Sequence, residues 1–277
     1  MSFYYSRWRS LTGVEALFSE CFAGDDYYVF CAQGFDRAVL DKALVHDFLT
    51  GNDKAIIDSF FVKTRRFRGP WNRLSATVLL PIAQPLEAFM EIRNAIAINL
   101  EGLGVELCAV AFKRDVICLS QVFFFYRKLQ GYENLLCWNG DVLNALRMVL
   151  AHVRDYAGRG LYHMDLNCEN IMFSGEEVEF VDCEYVLREP VFLSRVLGFK
   201  AALLKSYRSI FIAVDENIFL DEFFEFFPQL RGDVGFFSEY AEVSRLIHKV
   251  GVDGGKGLSE RRLFILKGRT GAGAGIS

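Results

Sequence analysis

From Tyr162 the chain runs Tyr-His-Met-Asp-Leu-Asn-Cys-Glu-Asn-Ile-Met-Phe to Phe173, and Val181-Asp182-Cys183-Glu184 follows. His163, Asp165 and Asn170 form H-x-D-x-x-x-x-N, and an apolar strand then ends in Asp182. Residues of these types at this spacing suit phosphoryl transfer. That chemistry needs a carboxylate near an attacking hydroxyl, with an amide oxygen and a second carboxylate on Mg²⁺. Asp165 is the candidate for the first role, and Asn170 and Asp182 are the candidate metal ligands. Any one of them alone reads as a turn or cap residue. Their conjunction carries the inference.

The pair of motifs is that of the kinase fold, which predicts a Lys on an earlier strand and a Glu on the helix after it. Lys63 closes Phe60-Phe61-Val62-Lys63, and Glu91 sits in Ala88-Phe89-Met90-Glu91-Ile92-Arg93. Lys63 would hold the phosphates of ATP while Glu91 orients it through an ion pair. Glu87 is the rival carboxylate, and Glu91 otherwise reads as part of a solvated helix face. No G-x-G-x-x-G precedes Lys63; only Gly34 and the turn from Leu49 to Lys54 could cover phosphates. Glu184 stands where protein kinases have glycine, and reads equally as a metal or substrate contact or as a surface carboxylate. His163 is expected to pack in its loop and bond to backbone. His46, His152 and His248 read as structural or surface residues, and no G-x-S-x-G marks a hydrolase nucleophile.

These loops need elements to hold them. Ala55 to Thr64 reads as one strand, followed by a basic, aromatic turn from Arg65 to Arg73 broken at Gly69-Pro70. Leu86 to Leu103 repeats apolar residues at helical spacing and stops at Gly104, and 107–112 and 116–126 read as paired strands. Asp141 caps an amphipathic helix carrying Val142, Leu146, Val149, Leu150 and Val153, ending near Gly158. Phe192 to Phe224 reads as helical. The expected fold class is therefore α+β and two-lobed, with a small β-rich lobe carrying one helix and a larger α-rich lobe. The expected domains are 1–128, 129–267 and a flexible Gly/Ala tail at 268–277, with the boundary near 127–131.

Composition sets the outer bounds. Of 277 residues 52% are hydrophobic and 24% charged, enough for a sizeable core, and Phe alone numbers 27. A net charge of −4 gives no general basic field for nucleic acid. No apolar run reaches membrane-span length, and the start shows no secretory h-region, so a cytoplasmic protein is expected. The seven cysteines include no C-x-x-C pair and read as buried free thiols.

The stretch from Phe61 to Tyr207 resembles the lipopolysaccharide kinase family, and within it the Kdo kinases most. The carrying segments are Phe61 to Gly69, Ala88 to Arg93 with Gly102-Leu103-Gly104-Val105, Gly160 to Ile171, and Leu193-Ser194-Arg195-Val196-Leu197. The resemblance implies an ATP- and Mg²⁺-dependent enzyme that phosphorylates a sugar hydroxyl (Kdo or heptose) of the lipopolysaccharide inner core, at the inner face of the cytoplasmic membrane. By position it makes Asp165 the base, Asn170 and Asp182 metal ligands, and Lys63 and Glu91 the nucleotide-positioning pair. Lys63, Arg65, Arg66, Arg68 and Arg73 interleave with Phe67 and Trp71, a patch suited to anionic lipid, to acidic sugars, or simply to solvent. Arg195, Lys200, Lys205 and Arg208 read as basic positions on a helix, facing either the membrane or solvent. Three rivals remain: an aminoglycoside-type kinase, a protein kinase, and a pseudokinase that binds partners without turnover. Glu189-Pro190 follows Asp182 too soon for a protein kinase's activation segment.

Overall fold

The computed structural model describes residues 3–78, 83–115 and 118–250. They form two compact units, the first ending at Gln130 and the second beginning at Gly131. The tail at 268–277 lies outside the described residues.

In chain order the first unit has α1 (Phe3–Thr12), β1 (Glu20–Ala23), β2 (Tyr27–Cys31), α2 (Arg37–Thr50), β3 (Lys54–Ile57) and β4 (Phe60–Arg66). It continues with α3 (Pro70–Val78), α4 (Ala83–Leu100), β5 (Leu107–Asp115) and β6 (Cys118–Arg127). The strands make one six-stranded sheet in the order β1-β2-β5-β6-β4-β3, antiparallel throughout. Alternation along β6 shows how it is held: Val122 and Phe124 enter a core with Trp8 of α1 and Ile92 and Ile96 of α4. Phe123 and Phe125 enter a second core with Val39, Leu40 and Ala43 of α2. A run apolar at every position therefore fills both faces of a covered sheet.

Sequence periodicity located α4; the structure adds α1, α2 and α3 around the same sheet. Pro70 begins α3 rather than merely breaking a turn, since its fixed φ and missing N–H suit a first helical turn. Trp8 ties two of the added helices together, its Nε1 donating to the Ala76 carbonyl at 2.7 Å. The single strand expected over 55–64 is a hairpin. Asp58 adopts φ 53° between β3 and β4, a left-handed conformation that Asp tolerates better than most residues.

The second unit contains β7 (Glu133–Asn134), α5 (Val142–Gly158), β8 (Leu161–His163), β9 (Ile171–Phe173), β10 (Val178–Phe180) and β11 (Val186–Arg188). Three more helices follow: α6 (Ser194–Ser206), α7 (Glu216–Phe226) and α8 (Val234–Val250). Asp141 caps α5 by accepting from the amides of Leu143 and Asn144. The helix expected over 192–224 is two helices. Arg208 turns left-handed at φ 44°, and Asp215 restarts the chain by capping α7. The chain is thus α+β, a sheet-based unit followed by a helical one.

α6 is buried at every position from Val196 to Leu204, and α8 packs against it. A Cβ on Gly198 would lie 2.4 Å from the Phe236 carbonyl oxygen, a contact no real structure tolerates. Gly198→Ala is therefore expected to lower stability by about 2 kcal/mol, against the roughly 1 kcal/mol that alanine gains in helix propensity. Urea denaturation of the variant checks this. Equal or greater stability would show that α8 yields without cost.

Candidate active site

The second unit brings its candidate residues together through short hairpins. β9 and β10 pair antiparallel, as do β8 and β11, so the loop after His163 and the turn after Phe180 are held side by side. Three bonds join them directly. The Val181 amide donates to the Asn170 carbonyl at 2.9 Å, the Met164 amide to the Tyr185 carbonyl at 2.7 Å, and His163 Nε2 lies 3.0 Å from the Val181 carbonyl.

Within the loop, Asn170 Nδ2 donates to the Asp165 carbonyl at 2.8 Å and to its carboxylate Oδ2 at 3.0 Å. The Asn170 amide therefore turns its nitrogen to Asp165 and its oxygen away. Both residues are half-buried, open enough to meet a ligand. Asp182 is held at φ 64°, a left-handed conformation costing an ordinary residue about 1 kcal/mol, and strain of this kind collects at functional sites. Oxygen donors of this kind, an amide carbonyl and a carboxylate, match the hardness of Mg²⁺.

His163 is fully buried, and burial pushes its imidazole down to about 4, with the Lys200 ammonium acting in the same direction. It stays neutral at physiological pH and serves as a donor to backbone, the role expected from sequence. His152 is likewise held at about 4 by burial. Lys200 departs from expectation. It is wholly buried rather than facing membrane or solvent on α6, its Nζ has no hydrogen-bond partner among the described residues, and burial lowers it to about 7. Glu184 is only 3% exposed, which removes its reading as a surface carboxylate. Cys21 and Cys137 are exposed and Cys118 half-buried, so burial of the thiols holds for four of the seven.

In the first unit the strand period sets the geometry. Phe61, Lys63 and Arg65 project to one face of β4, toward α4. Lys63 Nζ lies 2.9 Å from Glu91 Oε1, and Glu91 is completely buried. The rival Glu87 instead approaches Arg65, at 3.8 Å. Sequence reasoning missed two partners of Glu91: Arg65 donates to Oε2 from Nε at 3.2 Å, and the Tyr126 hydroxyl donates to Oε1 at 3.3 Å. Arg65 was legible, because residues two apart on a strand share a face. The basic run from Arg65 to Arg73 reads from sequence as a turn, and β4 overruns its start to Arg66. A carboxylate this buried needs such donors, since an unpaired buried charge costs several kcal/mol.

The antiparallel sheet with its Lys–Glu pair, the H-x-D-x-x-x-x-N loop and the hairpin to Asp182 are the parts, in order, of a protein-kinase-like fold. No family model matches the sequence, and no curated protein does. One similar solved structure is that of WaaP in complex with acyl carrier protein, 12% identical, with a TM-score of 0.44, covering 89% of this chain and 97% of that one.

Proposed function

We propose that this chain is a phosphotransferase that moves the γ-phosphate of ATP to a sugar hydroxyl of the lipopolysaccharide inner core, Kdo or heptose. The observation that carries it is the bonded set in the second unit: Asp165 and Asn170 hydrogen-bonded within one loop, and that loop tied at Val181 to a left-handed Asp182. Asn170 and Asp182 would hold Mg²⁺, which supplies charge neutralisation on the transferring phosphate. Lys63, fixed by Glu91, would neutralise charge on the nucleotide phosphates. Asp165 would orient the acceptor hydroxyl and take its proton as the oxygen bonds to phosphorus and ADP leaves. The acceptor class rests on the resemblance of the four segments named above.

A pseudokinase lacking turnover is less well supported, because Lys63, Asp165, Asn170 and Asp182 are all present. No helix among the described residues is long and apolar enough to cross a membrane. A peripheral position on the inner face of the cytoplasmic membrane is part of this reading, supported by the exposed Arg68 and Trp71; Lys63 and Arg65 of the same segment turn inward to Glu91 and Phe67 is in the core.

ATP turnover with Mg²⁺, measured with and without purified Kdo–lipid A, tests the proposal. Acceptor-dependent ADP release is expected, and it should vanish in Asp182→Ala. Turnover without acceptor dependence would point to another small molecule, such as an aminoglycoside. Absence of ATP binding would overturn the enzyme reading.

A further inference from the structure

Register aligns Tyr27, Lys113, Gln121 and Arg66 in one row across β2, β5, β6 and β4. Ala111 and Phe123, the pair two residues along, belong to the core under α2, so the row lies on the α2 face of the sheet. The Lys63–Glu91 pair lies on the opposite face, toward α4. With strands about 4.8 Å apart, Lys113 and Arg66 stand roughly 10 Å from each other with Gln121 between them.

Just beyond this row the chain adds Phe67 and Arg68 from the β4–α3 connection and Arg73 from α3, with Arg114, Asp115 and Ser120 from β5 and β6. With Asp26 these residues line a cavity of about 560 Å³. Its wall holds the cations Arg66, Arg68, Arg73, Lys113 and Arg114 against the carboxylates Asp26 and Asp115; with Asp47 and Asp53, which pair with Arg66 from outside the wall, the local excess is one positive charge. The whole chain carries −4, so this excess is local and opposite in sign.

Some of these cations are already tied. Arg66 pairs with Asp47 and Asp53, and Arg73 with Asp115 at 2.8 Å, which fixes the walls. Arg114 donates to the Asp25 main-chain carbonyl at 2.6 and 3.1 Å, which orients the guanidinium without neutralising it. Lys113 makes no ion pair among the described residues.

We propose that this cavity binds a phosphate-bearing group, carried either by a soluble sugar phosphate or by a phospholipid headgroup. Guanidinium forks match phosphate oxygens two at a time, and an ammonium adds a point charge. The volume suits a phosphorylated sugar or headgroup and lies within the range of ordinary ligand sites. Gln121 and Ser120 add polar side chains to the same wall. The cavity shares no lining residue with the phosphoryl-transfer site proposed above, since Lys63, Glu91, Asp165, Asn170 and Asp182 are all absent from its wall.

Two probes separate the sources: glucose 1-phosphate in solution, and vesicles of phosphatidylglycerol compared with phosphatidylcholine alone. The full chain is expected to bind at least one probe, more weakly as salt rises. The double variant Lys113→Gln/Arg114→Gln should weaken that binding at least tenfold with an unchanged melting temperature. Arg68→Gln provides the same readout should the double variant melt early. Lys42→Gln, an exposed cation of the same unit outside the cavity, should leave binding intact. Binding of glucose 1-phosphate identifies a soluble ligand, and selective binding of phosphatidylglycerol a lipid headgroup. The proposal fails if neither probe binds, if the cavity variants bind as well as the unaltered chain, or if Lys42→Gln weakens binding as much as they do.

Discussion

Asp165→Ala is expected to slow phosphoryl transfer by about 10²–10⁴-fold while ATP binding and the folded state are largely kept. The variant removes the carboxylate that would take the acceptor's proton. It keeps the main-chain carbonyl of residue 165, to which Asn170 donates at 2.8 Å, so one of the two Asn170 side-chain bonds to residue 165 survives, with the bonds from Val181 and Met164. Asp165→Asn sharpens the test. Its amide oxygen can still accept from Asn170, yet it cannot serve as a base, so the same loss of rate is expected with a better preserved loop. Single-turnover rates together with nucleotide affinity would check both variants. Normal turnover in either would remove Asp165 from the chemistry, and loss of ATP binding along with rate would make its role structural.

Lys200→Met is expected to stabilise the protein at neutral pH by about 3 kcal/mol, because it replaces a buried amine by an apolar chain of similar length. Burial holds Lys200 at about 7, below the ordinary lysine value of 10.5. The unfolded chain then binds one more proton than the folded one between those two values. Stability of the unaltered protein therefore rises with pH across that window, by up to about 1.4 kcal/mol per pH unit from this residue. Below pH 7 both states carry the proton and the penalty is constant. His152 of α5 and His163 of β8 act on Lys200 but are both held near 4, so neither titrates in this range. Tyr162 of β8, whose ring centre is 6.0 Å from Nζ, is raised by burial and also keeps its charge state. Urea unfolding of both proteins from pH 7 to 9.5 measures the effect. The advantage of the variant should shrink as pH rises; a constant difference, or a less stable variant, would show that the amine is satisfied where it lies.

The residues nominated for chemistry were legible because their relation is local. Asn170 follows Asp165 by five positions, and a short hairpin carries the chain to Asp182. Backbone geometry over such spans leaves few arrangements. The same locality made α5 readable, since a capping Asp and a 3.6-residue apolar period need no distant partner. Lys63 and Glu91 required a template as well, because 28 positions separate them and only sheet and helix packing brings Nζ to Oε1.

What sequence could not determine was burial imposed by distant elements. The basic positions of α6 read as facing the membrane or solvent, but residues 196–204 are enclosed on all sides, leaving Lys200 buried beside Tyr162, His152 and His163. Gly198 shows the same dependence, its lack of a side chain being required by Phe236 on another helix. The cationic cavity likewise joins Arg66 to Lys113, 47 positions apart, through the register of three strands. Spacing along the chain constrains groups a turn or a hairpin apart. Charge and burial depend on every group that packs nearby, so they were decided only when the tertiary fold closed around them.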